Sequence, residues 1–219
     1  MNLRCLWLEC NGIEKISGID HLEDLRMLYL HSNLIKEISG LLTLTNLVTL
    51  NISHNQITKI EGLENCINLK QLDISHNLIT EMENCEQLKV LPSLTSLDLR
   101  DNLINQKDAL IPFFQGMPNL LALYVKGNPC IRLVNQFRKS LVQYMPNLAY
   151  LDERPITEIE RLTADAFVRG GIEEEQKVRD EYNNKKLAAS KSNSEISAKI
   201  AEEGKLKRKA AFKKMMAEV

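Results

Sequence analysis

His54 and His76 stand 22 residues apart in the same local sequence, I-S-H-N, while Asp73 and Asp98 each follow a leucine and precede another aliphatic residue. Such residues can do chemistry. Paired imidazoles bind metals, a carboxylate pair supports general acid–base work, and a cysteine such as Cys5 or Cys10 can serve as a nucleophile. Each candidate falls short of a full set. The two histidines lack a third strong ligand, and Cys5 and Cys10 lack a matching histidine and acid. Asp73 and Asp98 lack a general-acid partner and an evident enclosing pocket, and Arg100 beside Asp98 suggests a surface ion network instead. The sequence contains no G-x-x-x-x-G-K-[ST], no G-x-G-x-x-G opening a helix after a strand and no H-E-x-x-H. The expectation is a non-enzymatic protein with no metal, no cofactor and no small-molecule substrate.

The elements that must position these side chains follow a fixed beat. Asn11, Asn33, Asn55, Asn77, Asn102 and Asn128 are separated by 22, 22, 22, 25 and 26 residues, with leucine or a close aliphatic relative eight, five and three places before each. A period in that range marks stacked leucine-rich repeats. Within each repeat the x-L-x-L-x core alternates as a strand does, so one side chain points in and the next points out. The inward set runs from Leu6 and Leu8, through Leu28 and Leu30, to Leu123 and Val125. Each buried aliphatic side chain contributes roughly 1.5–3 kcal/mol, yet one repeat cannot enclose its own, so neighbours must stack. The asparagines, as a structural ladder, satisfy backbone groups that water cannot reach.

The expected fold is an α/β solenoid: a curved parallel β-sheet on the concave face, short helices or 3-10 turns on the convex face, and a helical C-terminal cap and tail. Residues 1–152 form the repeat domain of six repeats plus a closing strand, with a cap helix at about 133–145 carrying Leu133, Phe137, Leu141 and Met145 on one stripe. Glu153 then occupies an inward aliphatic slot, so the sheet is expected to stop. Residues 153–185 read as a docked or partly helical extension, broken at Gly170 and Gly171, and residues 186–219 as a charged, mobile helical tail. Its charge is divided, with a net of −3 from Glu173 to Glu181 and +5 from Lys199 to Lys214.

Outward residues fall in rows across the sheet, and these make the candidate partner-binding face: Trp7, Tyr29, His31, Asn51, Asp73, Asp98, Arg100, Tyr124 and Lys126. Trp7 and Tyr29 share a row and should stack as an exposed aromatic patch of the kind that anchors a partner. The bland alternative covers Trp7 with a segment ahead of Met1. Leu3 already occupies the first apolar slot with no polar cap before it, which favours truncation.

With 44% hydrophobic and 26% charged residues in 219, the composition supports a sizeable core with a solvated extension. A net charge of −1 removes the simplest argument for nucleic-acid or membrane-surface binding. No apolar run reaches the roughly 18 residues of a bilayer span, and MNLRCLWLEC does not resemble a signal peptide. Five cysteines without C-x-x-C spacing fit a reducing, intracellular compartment.

The 22-residue N-x-I-x-x-I form, closed by GNPCIRLVNQFRKSLVQYMPNLAYLDERPI, resembles the leucine-rich-repeat subfamily of a phosphatase regulator, the spliceosomal A-prime subunit and several ciliary proteins. The junction LDERPITEIERLTADAFVRGG and the opening LRCLWLECNGI are similar to the dynein axonemal assembly factor 1 family, over about residues 1–185. That resemblance implies a protein-binding scaffold for cytoplasmic pre-assembly of axonemal dynein arms and for cilium or flagellum assembly. It implies cytoplasmic and ciliary or flagellar localisation, with axonemal dynein chains, chaperones or other assembly factors as partners. By position it assigns Asp152, Arg154 and Pro155 to the end of the last strand, and Ala166, Arg169, Gly170 and Gly171 to docking of the cap. The family's segment before the first full repeat and its long acidic or low-complexity C-terminal region are missing from the sequence. A spliceosomal A-prime-like RNA-processing subunit and a protein phosphatase regulatory subunit are the alternatives.

Overall fold

The computed structural model describes residues 2–217, with side chains at all of these except 192, 194, 195, 198, 206 and 209–217. Eight short strands form one sheet in sequence order: β1 (Cys5–Trp7), β2 (Met27–Tyr29), β3 (Thr49–Asn51), β4 (Gln71–Asp73), β5 (Ser96–Asp98), β6 (Ala122–Tyr124), β7 (Tyr150–Leu151) and β8 (Arg154–Pro155). The first seven run parallel, the topology of a leucine-rich-repeat solenoid, and β8 returns antiparallel to β7. The central leucines are strictly aligned, Leu6 on Leu28, Leu50, Leu72, Leu97, Leu123 and Leu151. From Leu28 onward this row is buried, and the isoleucines Ile35, Ile57, Ile79 and Ile104 join it in one core. At the first coil Leu3, Leu6, Leu8 and Ile13 are only half-buried.

The asparagines bind each coil to the one before. Asn77 Oδ1 accepts the Ile57 N–H at 2.9 Å, and its Nδ2 donates to the carbonyls of Ile52, Ile74 and Ser75, each at 3.1 Å. Asn33, Asn55, Asn102 and Asn128 repeat this arrangement and are likewise buried. Asn11 is exposed and bonds only the Leu8 and Glu9 carbonyls of its own coil. A second asparagine ladder precedes the strands. There Asn46, Asn68, Asn119 and Asn147 donate to the carbonyls of Glu23, Thr45, Pro92 and Pro118 at 2.9–3.1 Å.

The returning segments are of two kinds. The 22-residue coils return through bends and turns, whereas the longer fourth and fifth steps hold a 3-10 helix (Met82–Val90) and α1 (Lys107–Gln115). The three or four extra residues supply the added turn. The cap helix also starts later than expected. A 3-10 turn (Pro129–Arg132) precedes α2 (Phe137–Tyr144), and Gln136 at φ 50° prevents helix from extending back to Leu133, which lies exposed. Phe137, Leu141 and Met145 are buried.

The sheet does not stop at Glu153. Asp152 at φ 53° turns the chain tightly, and β8 pairs back, with the Ile156 N–H bonded to Ala149 O at 2.8 Å. Asp152 Oδ1 accepts the N–H groups of Val125 and Lys126, both at 2.9 Å, so a carboxylate closes the edge of the last coil. Arg138 then ties the cap together by donating to Leu151 O, Pro155 O and both oxygens of Glu160. Arg161 bonds the Leu148 carbonyl.

The helix α3 (Glu158–Ala217) leaves helical geometry at Gly170 and Gly171. Gly171 has φ 67° and ψ −154°, a combination open essentially to glycine alone, so the expected break lies there. The chain separates into two compact units, Met1–Arg161 and Leu162–Val219.

Two outcomes follow. Asn77→Ala should lower stability by about 1–3 kcal/mol through the backbone groups it leaves unpaired, whereas Asn11→Ala should cost far less; urea denaturation midpoints of the two variants compare them. The Arg138 guanidinium holds the Glu160 carboxyl down to about 2. A depressed folded-state value stabilises the protein above the ordinary carboxyl range, and that contribution is lost as pH falls through about 4.5 toward 2. Glu160→Gln should therefore flatten the acid limb of a stability-versus-pH curve.

Candidate functional site

Each of the strands β1 to β6 contributes three residues, of which the middle leucine is turned inward, leaving the first and third to face out. The third positions align as Trp7, Tyr29, Asn51, Asp73, Asp98 and Tyr124. Two residues further on come Glu9, His31, Ser53, Ser75, Arg100 and Lys126. The nine residues singled out in the sequence therefore lie in two adjacent rows of one unit.

The rows divide by how far their polar groups are already engaged. Asn51 Oδ1 accepts from the N–H and hydroxyl of Ser53 at 3.0 and 2.8 Å, and its Nδ2 donates to Asp73 Oδ2 at 3.1 Å. Asp73 Oδ1 does the same for Ser75 at 3.1 and 2.7 Å. Ser53 and Ser75 are buried by this arrangement, although strand alternation alone would turn them outward. Asp98 binds the Arg100 N–H at 3.0 Å and its guanidinium at 2.6–3.1 Å. The Arg100 guanidinium lies 5.3 Å from the Tyr124 ring centre, and hydrogen bonding to Asp98 raises its pKa further. Asp73 and Asp98 are register partners, but their carboxylates are each held by the residue two places on.

The N-terminal part of the face is different. Trp7 is 68% exposed, and its ring meets that of Tyr29 edge-on with centres 5.7 Å apart. Met27 is exposed beside them, in weak contact with the Tyr29 hydroxyl. His31 is half-buried, and its Nδ1 is shielded from water without a hydrogen-bond partner. Trp7, Met27 and Tyr29 thus form an exposed apolar patch at this end of the face.

At the other end Arg100 and Lys126 line a cleft of about 520 Å³ together with Arg132, Asp101 and Glu153. Sequence spacing did not bring in Arg132, which arrives from the 3-10 turn after Asn128. Lys126 and Glu153 approach to 3.8 Å with both side chains 67% exposed, a pair of little energetic weight.

The chemistry-bearing residues sit elsewhere. His54 and His76 are exposed and stack with ring centres 4.0 Å apart, and His76 Nε2 lies 3.3 Å from Asp101 Oδ2. They occupy the turn beyond the strands, where Cys10, Ser32, His54, His76, Asp101, Gly127 and Asp152 all adopt positive φ. A Cβ at Gly127 would lie 2.1 Å from Asp101 Oδ1, which explains glycine there. Among the described residues no group of three His, Cys, Asp or Glu side chains is arranged to hold a metal. Burial pushes the thiols of Cys66 and Cys130 up to about 11 and that of Cys85 up to about 12, so all three stay protonated core residues. No helix among the described residues is long and apolar enough to cross a membrane.

As the sole tryptophan, Trp7 reports directly on this face. Its fluorescence should be red-shifted and fully quenchable by acrylamide in the isolated protein, and Trp7→Ala should leave the unfolding free energy from urea denaturation within about 0.5 kcal/mol of the parent.

Comparison with known proteins places these features in context. The family model described as Leucine Rich repeats (2 copies) matches residues 2–43 and 45–84. Among curated proteins, the chain is 36% identical over 104 residues to leucine-rich repeat-containing protein ODA7 of Chlamydomonas reinhardtii, covering 48% of this chain and 24% of that protein. It is 34% identical over 92 residues to human dynein axonemal assembly factor 1, covering 42% of this chain and 13% of the relative. The homologue of that factor in Aedes aegypti is 41% identical over 81 residues, or 37% and 7%. The chain thus matches a quarter or less of the length of these relatives. Two solved structures share the fold: the Drosophila melanogaster SNF/U2A′ complex, with TM-score 0.54 and 24% identity over 67% of this chain and 82% of that one, and an internalin, inlF, of Listeria monocytogenes, with TM-score 0.51 and 24% identity over 70% and 48%.

Proposed function

We propose that this leucine-rich-repeat protein, related through its repeats to proteins named dynein axonemal assembly factor 1, is a non-enzymatic scaffold for the cytoplasmic pre-assembly of axonemal dynein arms. It holds a dynein chain, a chaperone or another assembly factor before the arms enter the cilium or flagellum. The observation that carries the binding role is the pre-set outward face, with Trp7, Met27 and Tyr29 exposed beside the unsatisfied His31 nitrogen. The names of the curated relatives support the dynein part.

The mechanism is preorganisation. The face is built on strands locked by the asparagine ladder, so ordering it on binding costs little, and affinity comes from a few anchors. Trp7 and Tyr29 anchor one end, while Tyr124, Arg100 and Lys126 engage the other. Asn51, Asp73 and Asp98 form the polar stretch between and set charge complementarity. The likeness to the spliceosomal structure, at 24% identity, speaks to the fold alone.

A Trp7→Ala, Tyr124→Ala double variant should remain folded by circular dichroism and lose co-precipitation of dynein chains or chaperones from flagellated cells. Undiminished recovery of those partners by the folded variant would remove the face from the mechanism. Recovery of small nuclear RNA or phosphatase activity by the parent protein would redirect the function.

A further inference from the structure

The asparagines of the ladder differ in the residue that follows them. Asn11 precedes Gly12, the single Asn-Gly pair of the chain, whereas Asn33, Asn55, Asn77, Asn102 and Asn128 precede Leu34, Gln56, Leu78, Leu103 and Pro129. Asparagine is a chemically labile residue, and before glycine it is at its most labile. The main-chain nitrogen of the next residue can attack the side-chain carbonyl carbon, and glycine has no side chain to stand in the way. In a folded protein the outcome rests on whether that nitrogen and that amide are already engaged.

In the later coils both are engaged. The N–H groups of Leu34, Gln56, Leu78 and Leu103 donate to the carbonyls of Ile13, Ile35, Ile57 and Ile79 at 2.8–2.9 Å. Pro129 has no N–H to lose. The asparagines before them are 2–8% exposed, and their amides are bonded to the preceding coil through both Oδ1 and Nδ2. The first coil is open at each of these points. Asn11 is exposed, its Oδ1 has no partner among the described residues, and its Nδ2 donates to Leu8 O at 3.1 Å and Glu9 O at 2.9 Å. The Gly12 N–H has no acceptor among the described residues either. Apart from its chain neighbours, nothing lies within 4 Å of where a Gly12 Cβ would stand.

We propose that Asn11 is a site of spontaneous covalent modification, converted in the folded protein to a mixture of aspartate and isoaspartate. Solvent base removes the Gly12 N–H proton, and the nitrogen adds to Asn11 Cγ. The new N–C bond forms as the Cγ–Nδ2 bond breaks, Nδ2 leaves with a proton as ammonia, and a cyclic succinimide remains. Water then opens the ring at either carbonyl. One opening gives aspartate; the other gives isoaspartate, in which the side-chain methylene has entered the main chain. The sum is an amide and a water exchanged for an acid and ammonia, with no oxidant, metal or enzyme. Either product reaches the outward face. A carboxylate has no N–H to give Leu8 and Glu9, so the two bonds that pin the chain directly after β1, the strand of Trp7, are lost. A new negative charge also appears close in sequence to Glu9.

Ageing of the full chain in neutral buffer tests this, with peptide mapping by mass spectrometry after digestion in acid to follow each asparagine separately. An isoaspartyl methyltransferase with labelled S-adenosylmethionine measures the isoaspartate formed. Asn11 should convert at least about tenfold faster than any of the other five, with isoaspartate among its products. Gly12→Ala, whose added methyl group has open space around it, should fold normally and slow the conversion about tenfold or more. The same mapping on the chain unfolded in urea separates sequence from structure. There Asn11 should keep its rate to within a few fold, while the buried asparagines lose their protection. An Asn11 amide that persists in the folded chain but is lost in the unfolded one overturns the proposal. So does a conversion that Gly12→Ala leaves unslowed, or a product free of isoaspartate, which marks direct hydrolysis of the amide.

Discussion

Every coil of this protein must bury a turn of backbone, and the groups left there have no water to bond. One asparagine amide per coil resolves this by accepting an N–H from the preceding coil and donating to carbonyls on both. Because the same side chain serves two coils, it fixes their spacing and their register together. The leucine column and the outward rows then inherit that register. The outward face is thus a product of hydrogen bonding in the interior, not of any preference among the residues that compose it.

The ladder also has a cost. The residue before each buried asparagine is forced into the left-handed region, and all but one of these in the row are not glycine. Left-handed conformations cost a non-glycine residue roughly 1–2 kcal/mol. Side-chain contacts along the row offset part of this: the His54 and His76 rings stack, and His76 meets Asp101. Histidines that look chemical in the sequence are therefore explained by their place in a strained turn. Their neighbour Asp101 leans over the single glycine of the row, Gly127, which leaves it room.

The repeats were legible because they recur: the leucine slots, the ladder asparagines and the pairing of Trp7 with Tyr29 all follow from counting residues. The second ladder has an equally plain signal in the sequence, an asparagine directly before the first leucine of the repeat at Asn46, Asn68, Asn119 and Asn147. Other features were hidden because they depend on backbone angles. Alternation alone sends Ser53 and Ser75 outward, but the turn into the left-handed residue folds their hydroxyls onto Asn51 and Asp73. The same cause leaves Asp98 bound to Arg100. Spacing by four placed Leu133 on the cap helix, and only the conformation of Gln136 takes it off. Of the candidate face, position was readable and availability was not.

The sheet is finished by a strand of only two residues. A row of parallel strands offers its last member as a template on which an extended segment of another chain can add, a route to edge-to-edge aggregation. Here β8 occupies that place, running the opposite way for two residues and presenting Pro155, which has no N–H to offer a newcomer. At this end an incoming strand finds one main-chain donor fewer, on an edge only two residues long.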